Sequence, residues 1–497
     1  MNSSMQSLLE RVYELNALNV SERVLQWDQE VNLAQGSMQS RAEHLGILSK
    51  LHHELLVSES TTQLVKEAKK DTEEGTDEAA LIRVLERSID KATKLPTKLV
   101  TESAKAKAEG QDKWVQARAK NDFKSFEPYL KRIFDLAREE AECYGYKGHI
   151  YDALHDNYEE DSTYADCKEL FDTIKQPVVD LCKKIRESNV EIDSSILLGD
   201  WDKQKLSDFI KQTVKEVGYD FDRGRLDIAN HPFCTNFSVD DVRITTDFRE
   251  DITFAIISTM HEVGHALYEM NGPKKWDRTP LSSGISLGIH ESQSSLVENH
   301  IGQSLPFWDR YFPRLQTAFP EKYKNVETID FYHAVNKVQP HFIRIESDQL
   351  HYYLHVILRF EIESDILAGK LEIKDLPETW NAKMEEYLGL TPETDSKGCL
   401  QDIHWSAGLI GYFPTYAMGN ILSHQFWNKI QEDLGNTDEM VREGNFEPII
   451  GWLKDNVHSH GSIYKPKELI MKALGKPLDP CDMIKDLTKK YTKIYKL

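Results

Sequence analysis

The residues of this chain best suited to chemistry stand in the run His261-Glu262-Val263-Gly264-His265. In a helix, positions i and i+4 lie on one face, so both imidazoles can reach a single cation. Glu262 lies beside them, placed to take a proton from a water that such a cation activates. The surrounding segment, Phe254 to Met270, is largely apolar, which predicts a buried helix. The pattern points to metal-assisted hydrolysis, with His261 and His265 as ligands and Glu262 as general base and acid.

A catalytic zinc takes three protein ligands and keeps one position open. Glu291, in Ile289-His290-Glu291-Ser292-Gln293-Ser294, opens another helical pattern and is the first choice for the third ligand. His290 and Glu298 are the alternatives. Glu298 and Asn299 read more simply as helix-surface residues or as partners that orient the ligands. The spacing is similar to that of metallopeptidases whose third ligand is a glutamate.

Further segments follow in order along the chain. They are His231-Pro232-Phe233, Asp241-Val242-Arg243-Ile244-Thr245-Thr246, Ile343-Arg344-Ile345-Glu346-Ser347-Asp348, Gln401-Asp402-Ile403-His404-Trp405-Ser406 and Gly411-Tyr412-Phe413-Pro414-Thr415-Tyr416. With the two metal motifs, they resemble the carboxypeptidase Taq family across nearly the whole chain. Two positions depart from that pattern. Asp247 stands where an Arg is expected, which alters the charge of one cleft wall, and Val297 stands where an aromatic residue is expected. The resemblance implies a helical fold with a deep groove, a divalent metal and release of single residues from peptide C-termini. It also implies broad side-chain tolerance, poor cleavage at C-terminal proline and a homodimer.

That activity sets the remaining roles. The tetrahedral oxyanion needs hydrogen-bond donors besides the metal. His404 and Tyr416 are the first choices and Tyr412 the second. The competing reading of both tyrosines is a core position with the hydroxyl tied off. A free α-carboxylate calls for a bidentate Arg. Arg344 leads, against an ion pair with Glu346 or Asp348. Arg243 is the runner-up, and together with His231 it is also suited to closing the end of the groove, so that one residue is clipped. His351, His355, His333, His341 and His424 read as packing or supporting histidines. His458 and His460 read as a solvated turn, and the basic run Lys485 to Leu497 as a solvated amphipathic tail. The cation is zinc first, with cobalt or manganese as alternatives, since such ligands accept several ions. A catalytically quiet peptide-binding member, or an endopeptidase or dipeptidase on the same scaffold, is the alternative function.

The elements that must position these residues are mostly helices. Apolar residues recur at three and four from Met5 to Leu55, with a break at Gly36-Ser37 and a second helix from near Ser40. A turn is expected at Glu73 to Asp77. Thr101 to Gly145 reads as one or two helices with an interruption near Pro128. The stretch Tyr219 to Phe248 mixes β-branched, aromatic, Gly and Pro residues and predicts a small β-element feeding the motif helix. Pro377, Gly389, Pro392 and Gly398 mark a loop-rich stretch. The expectation is a mainly α, single carboxypeptidase unit over residues 1–497, with two lobes around a groove and one small sheet near the site. Its N-terminal helical part spans about 1–215 and its metal-binding part 216–497.

The 497 residues supply ample core without disulfide or metal staples. A net charge of −21 speaks against nucleic acid or anionic membrane as partners, because both bind through Lys and Arg. Peptides are the expected partners. The six cysteines form no C-x-x-C pair, the N-terminus lacks a basic-then-apolar leader, and no apolar run is long enough to span a membrane. These features predict a reduced, cytoplasmic protein.

Overall fold

The computed structural model describes residues 3–497, and among them helices dominate. Ser3–Val31 and Met38–Leu56 form a hairpin whose bend is a 3₁₀ turn at Gln35–Ser37, where Gly36 and Ser37 predict a break. Glu59–Lys70 and Asp77–Lys94 bracket the expected turn, and the Thr76 side chain caps the second of them. Thr97–Lys120 and Phe123–Tyr144 are two helices, but their junction is not at Pro128. Asn121 takes a left-handed conformation (φ 54°) and the Asp122 side chain accepts from the Ser125 N–H. Pro128 lies inside the second helix, past its first turn, where it forgoes a bond to the Lys124 carbonyl without ending the helix. Likewise Pro377 starts the helix Leu376–Leu388 rather than lying in a loop, and Gly389 ends it at φ 69°.

The sheet comprises β1 (Leu226–Ile228), β2 (Cys234–Ser238) and β3 (Asp241–Thr246), in the order β1-β3-β2. β1 runs parallel to β3 with Leu226 opposite Ile244, and β2 runs antiparallel with a bulge between Asn236 and Ser238. β3 leads into the motif helix Ile252–Met270, capped by Asp251, which accepts from the Thr253 N–H at 2.8 Å. A hydrogen bond of 2.9 Å from the Thr259 hydroxyl to that of Thr246 ties helix to strand. The sheet thus lies against the site, as the sequence predicts.

Three apolar cores hold the helices together. One joins Trp114 to Ile185 with Leu350 to Ile421 and Met483 to Tyr495. The second joins Leu197 to Ala334 with Leu422 to Leu474 and contains the buried face of the motif helix. The third packs the N-terminal helices on Trp276 and Leu281. The first two therefore draw on distant parts of the chain. The basic tail is more than a solvated appendage: Cys481–Tyr495 is a helix that buries Met483, Leu487, Tyr491, Ile494 and Tyr495. His458 is buried too, not solvated, because its Nε2 meets Gln293 Oε1 at 2.9 Å and satisfies that buried amide. Among the described residues, no helix is long and apolar enough to cross a membrane.

Candidate active site

His261 and His265 point from the motif helix toward Glu291 on the helix Leu287–Ser295. Glu291 Oε2 lies 3.8 Å from His261 Nε2 and 3.6 Å from His265 Nε2. Among the described residues this is the one group of three or more ligand types whose atoms all lie within 4.8 Å of each other. Two glycines allow it. A Cβ on Gly264 would lie 2.3 Å from the Gln293 carbonyl oxygen and 2.5 Å from Ser294 Cα. A Cβ on Gly419, in the helix Pro414–Leu434, would lie 2.4 Å from Glu291 Cβ. The Glu291 helix is thus clamped between two others by direct backbone approach. We expect Gly264→Ala to cost about 1–3 kcal/mol of stability through overpacking, and to weaken cation binding by spreading the ligands. Thermal unfolding with and without chelator checks this; two unchanged midpoints would contradict it.

Both imidazoles have their second nitrogen occupied. His261 Nδ1 meets Glu298 Oε2 at 2.8 Å, where the helix passes into a π-helical turn, Leu296–Gly302. His265 Nδ1 lies 2.5 Å from His290 Nδ1, and His290 Nε2 lies 2.8 Å from Glu269 Oε1. The two sequence alternatives for third ligand, Glu298 and His290, therefore stand behind the histidines. Each orients its histidine so that Nε2 faces Glu291. Burial works against charge on His261, but Glu291, Glu298 and Glu262 outweigh it and raise its pKa to about 10. Burial and the neighbouring His290 hold His265 well below its usual value. Burial also pushes Glu262 up to about 7. Two imidazoles and the Glu291 carboxylate form a donor set, with the carboxyl groups of Glu262 and Glu298 beside it, which suits a divalent cation.

The comparisons agree. The family model "Carboxypeptidase Taq (M32) metallopeptidase" matches residues 7–491. The chain belongs to the carboxypeptidase Taq (M32) family. Thermostable carboxypeptidase 1 of Pyrococcus furiosus is 38% identical over 99% of both chains. Carboxypeptidase 1 of Bacillus subtilis is 37% identical over 95% of both. The crystal structure of the M32 carboxypeptidase from Deinococcus radiodurans R1 has a TM-score of 0.98 at 35% identity, covering 100% of both chains. The protein is accordingly a metal-dependent carboxypeptidase with the mainly helical M32 fold.

Around the His261, His265 and Glu291 group, the other sequence-selected residues fall into two groups. His404, Tyr416, Tyr412 and Arg344 come together. Tyr416 precedes Gly419 by one helical turn and so faces the Glu291 side. Its hydroxyl lies 3.2 Å from His404 Nε2, and the Tyr412 ring stands 5.2 Å from its own. Burial drives His404 down to about 3, so the ring is neutral at physiological pH. Its Nδ1 is buried without a hydrogen-bond partner. Arg344 does not pair with Glu346 or Asp348; those serve His341 and the cap of the helix Gln349–Leu367. It donates from Nε to Asp402 Oδ1 at 3.1 Å and from Nη1 to the Tyr352 hydroxyl at 3.0 Å, and stacks on Tyr416. His231 belongs to the same electrostatic neighbourhood: partial desolvation, with Arg344 and His261, depresses its pKa although the residue is exposed. Arg243 stands apart from that group. Its Nε and Nη2 hold Asp241 at 2.9 and 2.8 Å, and it lies over Trp27 and Phe237.

Sequence reading gave no role to Glu269, Asp402 or Arg359. Glu269 carried a local signal, since it sits one turn beyond His265 on the same helix. Asp402 lay within a quoted motif. Arg359 carried none, because its contact with Asp402 joins residues 43 apart in sequence.

Proposed function

We propose that this M32 enzyme releases single amino acids from the free C-terminus of peptides, with broad side-chain tolerance and poor cleavage at C-terminal proline. Zinc, held by His261, His265 and Glu291, is the proposed cation; cobalt and manganese suit the same donors. The observation that carries the reading is the convergence of these three residues beside buried Glu262, with Arg344 close enough that it and Glu291 act on the same Tyr352 and Tyr412 hydroxyls. The cation supplies Lewis acidity, which makes water a competent nucleophile near neutral pH and polarises the scissile carbonyl. Glu262 accepts the proton of the attacking water and returns it to the leaving amine. Tyr416 donates its phenolic hydrogen to the developing oxyanion, with His404 beside it and Tyr412 as the second phenol. Arg344 has donor capacity beyond its bonds to Asp402 and Tyr352, and turns it to the substrate α-carboxylate. Arg243 and His231 shape the end of the groove between two lobes, so that one residue extends past the scissile bond. The six free thiols fit a cytoplasmic setting, and the family resemblance a homodimer.

The test is mass spectrometry of an N-terminally blocked peptide. Stepwise loss of one C-terminal residue, abolished by chelator and by C-terminal amidation, is expected. Internal cuts, or equal rates on the amidated peptide, would overturn the reading.

A further inference from the structure

Glu269 is buried and touches no reacting atom, yet four donors converge on it. His290 Nε2 lies 2.8 Å from Oε1. The Gly284 N–H donates to Oε1 at 3.2 Å, and the Ser283 hydroxyl lies 3.0 and 3.1 Å from the two oxygens. Asn236 Nδ2 donates to Oε2 at 2.5 Å. Asn236 sits at the bulge of β2, a device that re-aims a side chain. Its Oδ1 accepts from Arg23 Nη1 at 2.6 Å, and the same nitrogen donates to its carbonyl at 3.1 Å. Arg23 lies in the first helix, Ser3–Val31, far from the motif in sequence.

Every polarity along this chain is set. Arginine only donates and an ionised carboxylate only accepts. Arg23 therefore turns the Asn236 amide so that its NH₂ faces Glu269. Glu269 in turn demands a proton on His290 Nε2, and a neutral His290 ring, holding that one proton, offers Nδ1 as an acceptor. His265 must then carry its proton on Nδ1 and present an Nε2 lone pair beside Glu291. The opposite tautomer would place a hydrogen where a cation belongs.

We propose that Arg23, Asn236, Glu269 and His290 form a positioning relay that fixes the tautomer and ring orientation of His265, and that couples cation affinity to docking of the N-terminal helix. This rests on the reading of His261, His265 and Glu291 as the cation site.

The experiment uses the full-length protein and zinc itself, with apparent Kd from competition against a chromophoric chelator. The visible spectrum of the cobalt-loaded protein and the unfolding midpoint in excess chelator are also recorded. Glu269→Gln should weaken zinc about 10- to 100-fold, the usual effect of losing a residue that orients a ligand. It should shift the cobalt bands as well. Arg23→Met and Asn236→Leu should weaken zinc several-fold, with the chelator midpoint held, and Arg23→Lys should recover part of the loss. Wild-type zinc affinity in Glu269→Gln overturns the relay. So does a loss in Arg23→Met that Arg23→Lys does not recover, or one matched by a lower chelator midpoint. His265→Ala separates the two readings. If it binds zinc like the wild type, the cation site fails and the relay with it. If it loses zinc while the relay variants keep it, the relay alone fails.

Discussion

Glu262→Gln should retain one bound cation per chain and lose about a thousandfold in kcat, within the range attributed to a positioned general base. The substitution preserves volume and hydrogen-bonding reach while removing the capacity to take a proton. Glu262 is 6% exposed and lies beside His261 rather than among the three converging ligands, so exchanging it leaves the donor set intact. The loss should fall on kcat more than KM, because the proposed role of the residue is on the water and the leaving amine rather than on the bound peptide. Elemental analysis paired with steady-state kinetics measures both halves. Activity within tenfold of the wild type, with the cation still present, would remove Glu262 from the mechanism. Loss of the cation would instead make it a structural part of the site.

The legible part of the site is the part encoded at helical spacing. His261, Glu262 and His265 declare their geometry because one turn of helix fixes which side chains share a face. Glu291 follows because its own segment is a second helix. The small sheet over 226–246 was readable from β-branched and aromatic residues crowded among turn formers. Pro128 misleads because the second helix runs on through it at the loss of one backbone hydrogen bond, whereas Asn121 ends the helix before it by adopting a left-handed conformation. His458 misled because its partner, Gln293, is 165 residues away. The same distance problem hid the support of the site. Glu269 needs Arg23 and Asn236, and Asp402 needs Arg344 and Arg359. Such pairings exist only once the fold has closed, and no periodicity announces them.

Asp402 carries the second large effect. It lies between two buried guanidinium groups. Arg359, 0% exposed, donates from Nε at 2.6 Å and approaches from Nη2 at 2.5 Å, and Arg344 approaches Oδ1 from Nε and Nη2, both at 3.1 Å. Burial raises the carboxyl pKa, but the two arginines outweigh it and hold Asp402 far below its usual range. Removing the shared anion leaves two cations facing each other, with Gln401 Oε1, the His355 carbonyl and ring Nδ1, and the Tyr352 hydroxyl as their remaining side-chain and carbonyl partners. Breaking a buried pair this way costs about 3–5 kcal/mol, so Asp402→Ala should unfold at much lower urea at pH 7. Asp402→Asn should lose less, because the amide oxygen still accepts. The sign of the pH dependence follows from the lowered pKa. The carboxylate's contribution is complete above the unfolded-state value near 3.9 and fades as pH falls toward the folded-state value. The gap between wild type and Asp402→Asn should therefore be flat above about pH 5 and narrow below about pH 4. Arg344 would lose its anchor in Asp402→Ala and keep only a neutral acceptor in Asp402→Asn, so KM for free-carboxylate peptides should rise more in the alanine variant. Equal urea midpoints for wild type and Asp402→Ala at pH 7 would show that the two arginines do not depend on this carboxylate.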